Sequence, residues 1–398
     1  MKIDIKALQL HELRQKIHVL GEPSYRAAQV ADWLYRKRVD SFEKMTDLPL
    51  ELRARLTDEF SLGKLDLMRV LDSKLPPVTP DISKSTTGDA IRDSRVACGG
   101  GRLQRNGVEP SRSGTTRKFL FQLTDGNLIE SVLIPASPAL YGSRSDRRTI
   151  CVSTQVGCAY ACKFCASGLE GFTRNLLANE IVDQIMAVER DSEEKIDNVV
   201  FMGMGEPLAN FDNVIRAIRI MNAPWGLGIG ARHITVSTSG LAPQIRKLAD
   251  EPLQIRLAIS LHGATDEVRD QIMPINRRYN IETLLSACNY YLERKKQRLT
   301  FEYILIEGVN DAEAQAHLLA RHAKRLSAKV NLIPYNAVHG LPWSRPPRNR
   351  QEKFLSILRA EGIPATLRRE KGHDIDAACG QLRLQTKREG SVSAKIQS

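Results

Sequence analysis

Between residues 151 and 165 the chain reads Cys151-Val-Ser-Thr-Gln-Val-Gly-Cys158-Ala-Tyr-Ala-Cys162-Lys-Phe-Cys165. Cys158, Cys162 and Cys165 stand at C-x-x-x-C-x-x-C spacing, so one short loop can turn three sulfurs towards a single metal centre. Thiolates are soft ligands that suit iron-sulfur clusters or zinc. A [4Fe-4S] cluster held by only three cysteines keeps one iron without a protein ligand, open to a small chelating molecule. A structural zinc site would require a fourth Cys or His at defined spacing, and none follows within the next sixty residues. Three unrelated buried thiols are the remaining reading, because free Cys packs as a small hydrophobe.

Other residues able to do chemistry stand where apolar runs end. Val199-Val-Phe-Met-Gly-Met-Gly-Glu-Pro207 closes on Gly203, Gly205 and Glu206. Glycine lets backbone approach a ligand closely, and the carboxylate can accept from an ammonium group. Thr235-Val-Ser-Thr-Ser-Gly240 and Ile259-Ser-Leu-His-Gly263 place Ser237, Ser260, Leu261 and His262 at two further run ends, although a lone His is more often structural. Pro334-Tyr-Asn336 ends another, and its amide could read an adenine edge or cap a turn. Glu130, within Ile129-Glu-Ser-Val-Leu-Ile134, reads on its own as an outward-facing strand residue. Cys379, in Asp374-Ile-Asp-Ala-Ala-Cys-Gly-Gln-Leu382, reads as a buried thiol, Cys288 as helix core, and Cys98 as a residue without a role.

From residue 148 onward a β-branched apolar run, a polar loop and an amphipathic helix recur six times. The pattern predicts strands at 149–154, 197–203, 232–238, 255–261, 299–306 and 329–335. Helices are expected near 177–190, 210–222, 242–250, 281–294, 311–326 and 349–361. Such alternation means parallel strands with crossover helices. Six units are too few for a closed eight-stranded barrel, so the expected fold is α/β, a partial (βα)6 barrel at 148–384 whose open side would admit a bulky substrate. Ligands in such folds gather at the carboxyl ends of the strands, where the cysteine loop and the polar motifs fall. Ahead of the barrel, Leu10, Leu13, Ile17 and Leu20 share a face, as do Ala27, Val30, Ala31 and Leu34, which predicts a small helical domain over 1–62. Its Arg14, Lys16, Arg26, Arg36, Lys37 and Arg38 form either a solvated face or an RNA-docking one. A β extension over 63–147 alternates from Leu65 to Val70 and from Arg117 to Pro135, turning at Asp125-Gly126-Asn127. A Pro-, Ser-, Thr-, Gly- and Arg-rich insertion at about 73–116 is expected to be mobile, and the tail at 385–398 disordered.

A chain of 398 residues with 42% hydrophobic content supports a full core in more than one unit. No apolar run approaches a membrane span and the start, Met1-Lys-Ile-Asp-Ile-Lys6, is too polar for a signal peptide, so a cytoplasmic location is expected. Seven cysteines, an odd number with three in one loop, fit a reducing compartment rather than a disulfide framework. Lys plus Arg exceed Asp plus Glu by 58 to 46, a net charge of +12 that favours a polyanionic partner.

Together these residues resemble the RlmN/Cfr family of radical-SAM RNA methyltransferases, and its RlmN branch most closely. The resemblance runs from Gly21-Glu-Pro-Ser-Tyr-Arg26 to the Cys379 segment, with the insertion as its one large gap. Its most specific elements are Cys151 ahead of the triplet, Gly171-Phe-Thr-Arg-Asn-Leu176, Gly203-Met-Gly-Glu-Pro207 and Ala378-Cys-Gly-Gln381. It implies methylation of C2 of adenine 2503 in 23S rRNA and, in many members, of adenine 37 in certain tRNAs. It implies that Cys158, Cys162 and Cys165 hold a [4Fe-4S] cluster whose open iron takes the amino and carboxylate groups of S-adenosylmethionine (SAM). Gly205, Glu206, Ser237, Ser260, Leu261, His262 and Asn336 would bind SAM. Cys379 would become an S-methylcysteine, Cys151 the resolving thiol that closes a disulfide with it, and Glu130 a proton acceptor.

The resemblance further implies two SAM molecules per turnover, an electron donor such as flavodoxin or ferredoxin, and a monomeric enzyme. The chemistry accounts for the extra thiols: adenine C2 is an electron-poor carbon with no lone pair to attack a methyl sulfonium, so a radical route is required. Tyr335, Ala337 and Lys371 depart from the family's usual Phe, Pro and Arg, which touches fine substrate contacts rather than the reaction. Pro207 and Ser239-Gly240 lean towards C2 over the C8 chemistry of the Cfr branch. C8 methylation of the same adenine, and a zinc-stabilised RNA-binding protein without catalysis, stand as the alternatives.

Overall fold

The computed structural model describes residues 2–74, 115–135, 147–169, 171–338, 340–368 and Ile375. Cys98, Lys371 and Cys379, nearly all of the expected insertion and the whole of the expected tail lie outside the described residues.

The chain opens with β1 (Ile3–Asp4), which pairs in parallel with β2 (Phe60–Ser61) and so ties the two ends of an N-terminal unit together. Between them lie α1 (Leu10–Val19), α2 (Arg26–Tyr35) and α3 (Leu50–Glu59). Then β3 (Asp66–Asp72), β4 (Arg117–Gln122) and β5 (Leu128–Pro135) form an antiparallel meander. The pairing of β3 with β4 extends by one bond past their ends, where Ser73 N–H donates to Thr116 O at 2.9 Å. Contrary to the expectation of one strand over 149–154, the chain leaves the sheet after β6 (Arg148–Cys151) and enters a small antiparallel hairpin, β7 (Gln155–Gly157) and β8 (Phe172–Asn175). This hairpin carries the cysteine loop and the short helix α4 (Ala166–Leu169) between its strands.

The rest alternates as the hydrophobic pattern predicts. In order come α5 (Ala178–Ser192), β9 (Asn198–Phe201), α6 (Phe211–Asn222), β10 (Ile234–Thr238), α7 (Ala242–Asp250) and β11 (Arg256–Ser260). The last crossovers use α8 (Asp266–Ile272) and α9 (Ile281–Lys295), β12 (Thr300–Leu305), α10 (Glu313–Arg325), β13 (Lys329–Pro334), α11 (Arg348–Ala360) and β14 (Ala365–Leu367). One ten-stranded sheet runs β14-β13-β12-β11-β10-β9-β6-β5-β4-β3. The order is linear, so the barrel stays open. Its parallel part holds a seventh strand, β14, that the sequence pattern did not show: three residues are too few for a visible period. The β extension is hydrogen-bonded to the barrel through Val132 paired with Cys151.

Each crossover helix buries one stripe. In α6 Phe211, Val214, Ile215, Ile218 and Met221 recur every three or four residues and are buried, while Asp212 and Arg219 face outward. Strand side chains alternate between faces, so Val199, Val236 and Ile259, each fully buried, face the helices. The other parity forms the inner face. Register carries it from Cys151 through Val200 and Thr235, and two residues on from Ser237 through Ala258 to Ser260 and Glu302. No helix among the described residues is long and apolar enough to cross a membrane.

A buried ion pair docks the N-terminal unit on the barrel. Lys6 Nζ lies 2.5 Å from Asp183 Oδ1 of α5, and Tyr35 Oη donates to Lys6 O at 2.9 Å. Burial pushes the Asp183 carboxyl up to about 6, with Lys6 opposing. Removing the cation leaves a buried carboxylate uncompensated, so Lys6→Met is expected to cost ~3 kcal/mol in urea unfolding at pH 8. A carboxyl raised by burial withdraws stability as pH rises through its folded pKa, and without Lys6 that pKa stands higher still, so the deficit should shrink as pH falls towards about 6. A pH-independent deficit would count against the pair.

Candidate active site

A cavity opens at the carboxyl ends of the parallel strands, where ligands of such folds gather. Its wall brings together Cys158, Cys162, Cys165, Gly205, Glu206, Ser237, Ser260 and His262 from the cysteine loop and three strand ends. These eight are more than 100 residues apart in sequence at their extremes, so the barrel alone makes them neighbours.

The cysteine loop is held by backbone rather than by its thiols. Cys158 N–H donates to Gly171 O at 2.9 Å, Lys163 N–H to Ile272 O at 2.9 Å, and Cys165 N–H to Cys162 O at 3.0 Å. Gly157 takes φ +76°, and a Cβ there would collide with Gly171 O. Burial pushes the Cys158 thiol up to about 12 and the Cys162 thiol well above its ordinary value, and the charge of Cys165 raises both. Half-buried thiols whose ionisation is opposed in this way suit a strongly cationic centre, which inverts that balance. No group of three or more His, Cys, Asp or Glu among the described residues is drawn together tightly enough to grip a single metal ion. Zinc needs its sulfurs ~2.3 Å from one point, whereas a cuboidal cluster takes one sulfur at each of three separate irons. Three sulfurs on one loop are a donor set that fits such a cluster.

Beside the loop, the turn after β9 packs against the chain that leaves β6. A Cβ at Gly203 would stand 2.7 Å from the carbonyl of Val152, and Gly205 takes φ +97° with no room beside Gln155. Glu206 is buried, its Oε1 accepting from Leu208 N–H at 3.0 Å and its Oε2 from Ser239 N–H at 2.7 Å. Burial raises its carboxyl and these amides oppose that rise. Two backbone donors fix the carboxylate and leave lone pairs for a cationic ligand. Ser237 and Ser260 stand with Oγ atoms 3.5 Å apart on adjacent strands.

His262 has φ +57° and accepts at Nδ1 from Ile304 N–H at 3.0 Å, which places its ring proton on Nε2. Burial, with Arg269 adding to it, pushes the imidazole down to about 3. The folded group holds its proton more weakly than the unfolded one, so its stabilisation is full above the ordinary 6.5 and drains as pH falls towards 3. Between about pH 8 and pH 5 the wild type is expected to lose ~2 kcal/mol more than His262→Gln, read from urea midpoints. Equal losses would show that this ring does not titrate as argued.

Leu261 is core by its side chain and can meet a ligand only through backbone. Asn336 follows β13 and does not line the cavity; its Oδ1 accepts from Arg345 Nη2 at 2.6 Å. Cys151 and Glu130 lie off the cavity but on the same inner face, because Glu130 is two residues before Val132, the partner of Cys151. Cys151 packs with Val132 and Met204, and against Met202, which does line the cavity. Glu130, expected to face outward if taken alone, is almost wholly buried, with Lys118 Nζ 3.5 Å from its Oε1. Cys379 lies outside the described residues, and no disulfide joins the described cysteines. Cys288 is core, as expected.

Sequence reasoning passed over Arg269 and Glu302. Arg269 is fully buried and bridges the strand ends, its Nε donating to Leu261 O at 3.0 Å and its Nη1 to Asn276 Oδ1 at 2.8 Å. Glu302 lines the cavity from the middle of β12. Its signal was available, since an acidic residue inside an otherwise apolar parallel strand breaks the continuous pattern such strands show.

Residues 152–320 match the model of the Radical SAM superfamily, and residues 3–62 that of the ribosomal RNA large subunit methyltransferase N-terminal domain. The chain is 49% identical to the probable dual-specificity RNA methyltransferase RlmN 3 of Opitutus terrae, over 97% of this chain and 95% of that one. It is 47% identical to the corresponding RlmN of Akkermansia muciniphila, over 93% and 92%. The crystal structure of a radical SAM methyltransferase from Sphaerobacter thermophilus superposes with a TM-score of 0.80 at 42% identity, covering 96% of this chain and 99% of that chain. With a cysteine loop fit for a [4Fe-4S] cluster and a polar cavity beside it, the chain belongs to the RlmN branch of the RlmN/Cfr family of radical-SAM RNA methyltransferases.

Proposed function

We propose that this protein methylates C2 of adenine 2503 in 23S rRNA and of adenine 37 in a subset of tRNAs. The observation that carries the reading is the placing of Cys151 and Glu130 on one inner sheet face beside the three-cysteine cavity. Bound there, the cluster and SAM supply the reductive cleavage that makes a radical able to take hydrogen from a methyl group. Cys158, Cys162 and Cys165 would hold the cluster; Gly205, Glu206, Ser237, Ser260, the Leu261 backbone and His262 would hold SAM, with Asn336, which follows β13 outside the cavity lining, completing the set.

Cys379 accepts a methyl group from a first SAM, and a second is consumed in activating it. Its methylene carbon then bonds to C2, which ties the RNA to the protein. The adduct would give up its unpaired electron to the reducing system as Glu130, whose Oε1 lies 3.5 Å from Lys118 Nζ, takes the C2 proton, and the ring becomes aromatic again. Cys151 thiolate sulfur attacks Cys379 sulfur, the bond from Cys379 sulfur to carbon breaks with its electron pair going to the carbon, which takes a proton to become the methyl group, and the disulfide left between the two frees the methylated base. A small carrier of flavodoxin or ferredoxin type provides the electrons, and the enzyme works as a cytoplasmic monomer.

Mass mapping of rRNA and tRNA from cells with and without the gene tests this. The expected result is 2-methyladenosine at both positions, present only with the gene. Methylation at C8 would favour the Cfr-like alternative, and no change in either RNA would sink the reading.

A further inference from the structure

The cavity occupies one end of the parallel strands, and the other end carries a row of charge. Arg256 opens β11, Lys329 opens β13, Arg298 stands just before β12, and all three are exposed. Register pairs Ala258 with Thr300 and Thr300 with Lys329, so, carried back along the strands, Arg256 lies beside Arg298 with Lys329 on the next strand. Adjacent strands are ~4.8 Å apart, which gathers the three cations within about 10 Å. By parity they share the inner face whose carboxyl end lines the cavity through Ser260, Glu302 and Ile333.

Their side chains make no ion pair or hydrogen bond among the described residues. Carboxylates on the adjoining loops are engaged elsewhere: Glu251 Oε2 accepts from Arg219 Nη2 at 2.7 Å, and Glu361 Oε2 from Lys324 Nζ at 2.5 Å. The backbone that carries the row is nevertheless fixed. Gln297 Nε2 donates to Gln254 Oε1 at 2.8 Å, Tyr291 Oη to Ile255 O at 2.8 Å, and Lys329 N–H to Leu299 O at 3.1 Å. Like charges on neighbouring strands are destabilising by themselves, and a fixed row of them becomes favourable against a polyanion. An acidic electron carrier does not fit, because it must approach the cysteine loop at the opposite end of the strands. An RNA backbone, with one charge on every phosphate, does.

We propose that Arg256, Arg298 and Lys329 form an RNA-docking surface that holds the phosphate backbone away from the target base, a step that rests on the RNA substrate read above. Each cation is ~13 Å along its own strand from the residue that lines the cavity, so a contact there adds affinity without touching the reaction. Only an RNA long enough to pass around the barrel meets both ends.

Equilibrium binding to the cluster-loaded enzyme, with S-adenosylhomocysteine present so that nothing reacts, tests it with two RNAs. One is a long rRNA fragment around the target adenine, the other a hairpin of a few base pairs that carries it. The combined variant Arg256→Gln, Arg298→Gln and Lys329→Gln is expected to bind the long RNA about tenfold more weakly and to flatten the slope of log affinity against log salt by about two to three. The hairpin should bind as it does to the wild type, and kcat at saturating long RNA should hold. The wild type itself should show a steeper salt slope with the long RNA than with the hairpin, a comparison that needs no variant to fold. Arg321→Gln, Lys324→Gln and Lys353→Gln, on the outer helices α10 and α11, remove the same charge. If that control weakens the long RNA equally, net charge and not the row is at work, and the proposal is overturned. It is overturned too if the row variant binds the long RNA as the wild type does, including the case in which reduction by the carrier slows instead. Those results leave the RNA reading standing; if the wild type binds neither RNA, that reading falls and the proposal with it.

Discussion

Cys162→Ala is expected to strip the protein of iron and acid-labile sulfide, to bleach its visible absorbance, and to lower RNA methylation by at least ~10⁴-fold, as losing one member of an obligate unit does. Cys162 and its two neighbours face one cavity, and burial with the charges of Cys165 and Cys158 opposes ionisation of Cys162, a balance that a cationic centre inverts. Two sulfurs cannot secure a cluster that three hold in place. The fold should survive. The loop is pinned by the Cys158–Gly171 and Lys163–Ile272 backbone bonds, which alanine leaves intact. A urea midpoint within ~0.5 kcal/mol of the wild type would thus accompany the loss of iron. Full iron content in the purified variant would show that the three cysteines do not share one cluster.

Exchanging the other two sulfurs should separate their roles. Under the proposed scheme Cys379→Ala is expected to yield neither methylated RNA nor a covalent adduct, because that sulfur would carry the carbon that reaches C2. Cys151→Ala should still join RNA to protein but fail to release it. An RNase-sensitive species of raised mass should then accumulate on a denaturing gel, while multiple-turnover methylation falls by ~10³-fold or more. Glu130→Gln belongs with Cys151→Ala, since an adduct that keeps its C2 proton cannot resolve. The structure makes this pairing specific. Glu130 and Cys151 share a sheet face through Val132, and Lys118 keeps a positive charge 3.5 Å from the base. Normal turnover by Cys151→Ala would remove the resolving thiol from the scheme.

The barrel was legible because each unit states itself locally. Residues 256–260 and 329–334 are apolar runs bounded by polar loops, and α6 repeats its buried residues every three or four positions. Periodicity failed where an element is too short to repeat. The β7–β8 hairpin and β14 span three or four residues each, and α8, seven residues long, was read as loop. Thiol spacing alone led to the cysteine loop, since ligands for one centre can sit on adjacent residues of a single turn. Glu130 misled in isolation: alternation says that a strand has two faces, not which one is covered.

The amino-acid order by itself determined the soft-ligand chemistry, the glycine-bounded carboxylate at Glu206 and the succession of strands and helices, because these depend on residue type and on spacing within one segment. Tertiary structure alone decided which polar groups meet. Strand register brings Glu302 beside Ser260 across some forty residues, sets Glu130 diagonal to Cys151, and lets Arg269 bridge carbonyl and amide groups from separate loops. Pairing between distant segments is settled by the burial of a whole sheet face, and no local spacing encodes it.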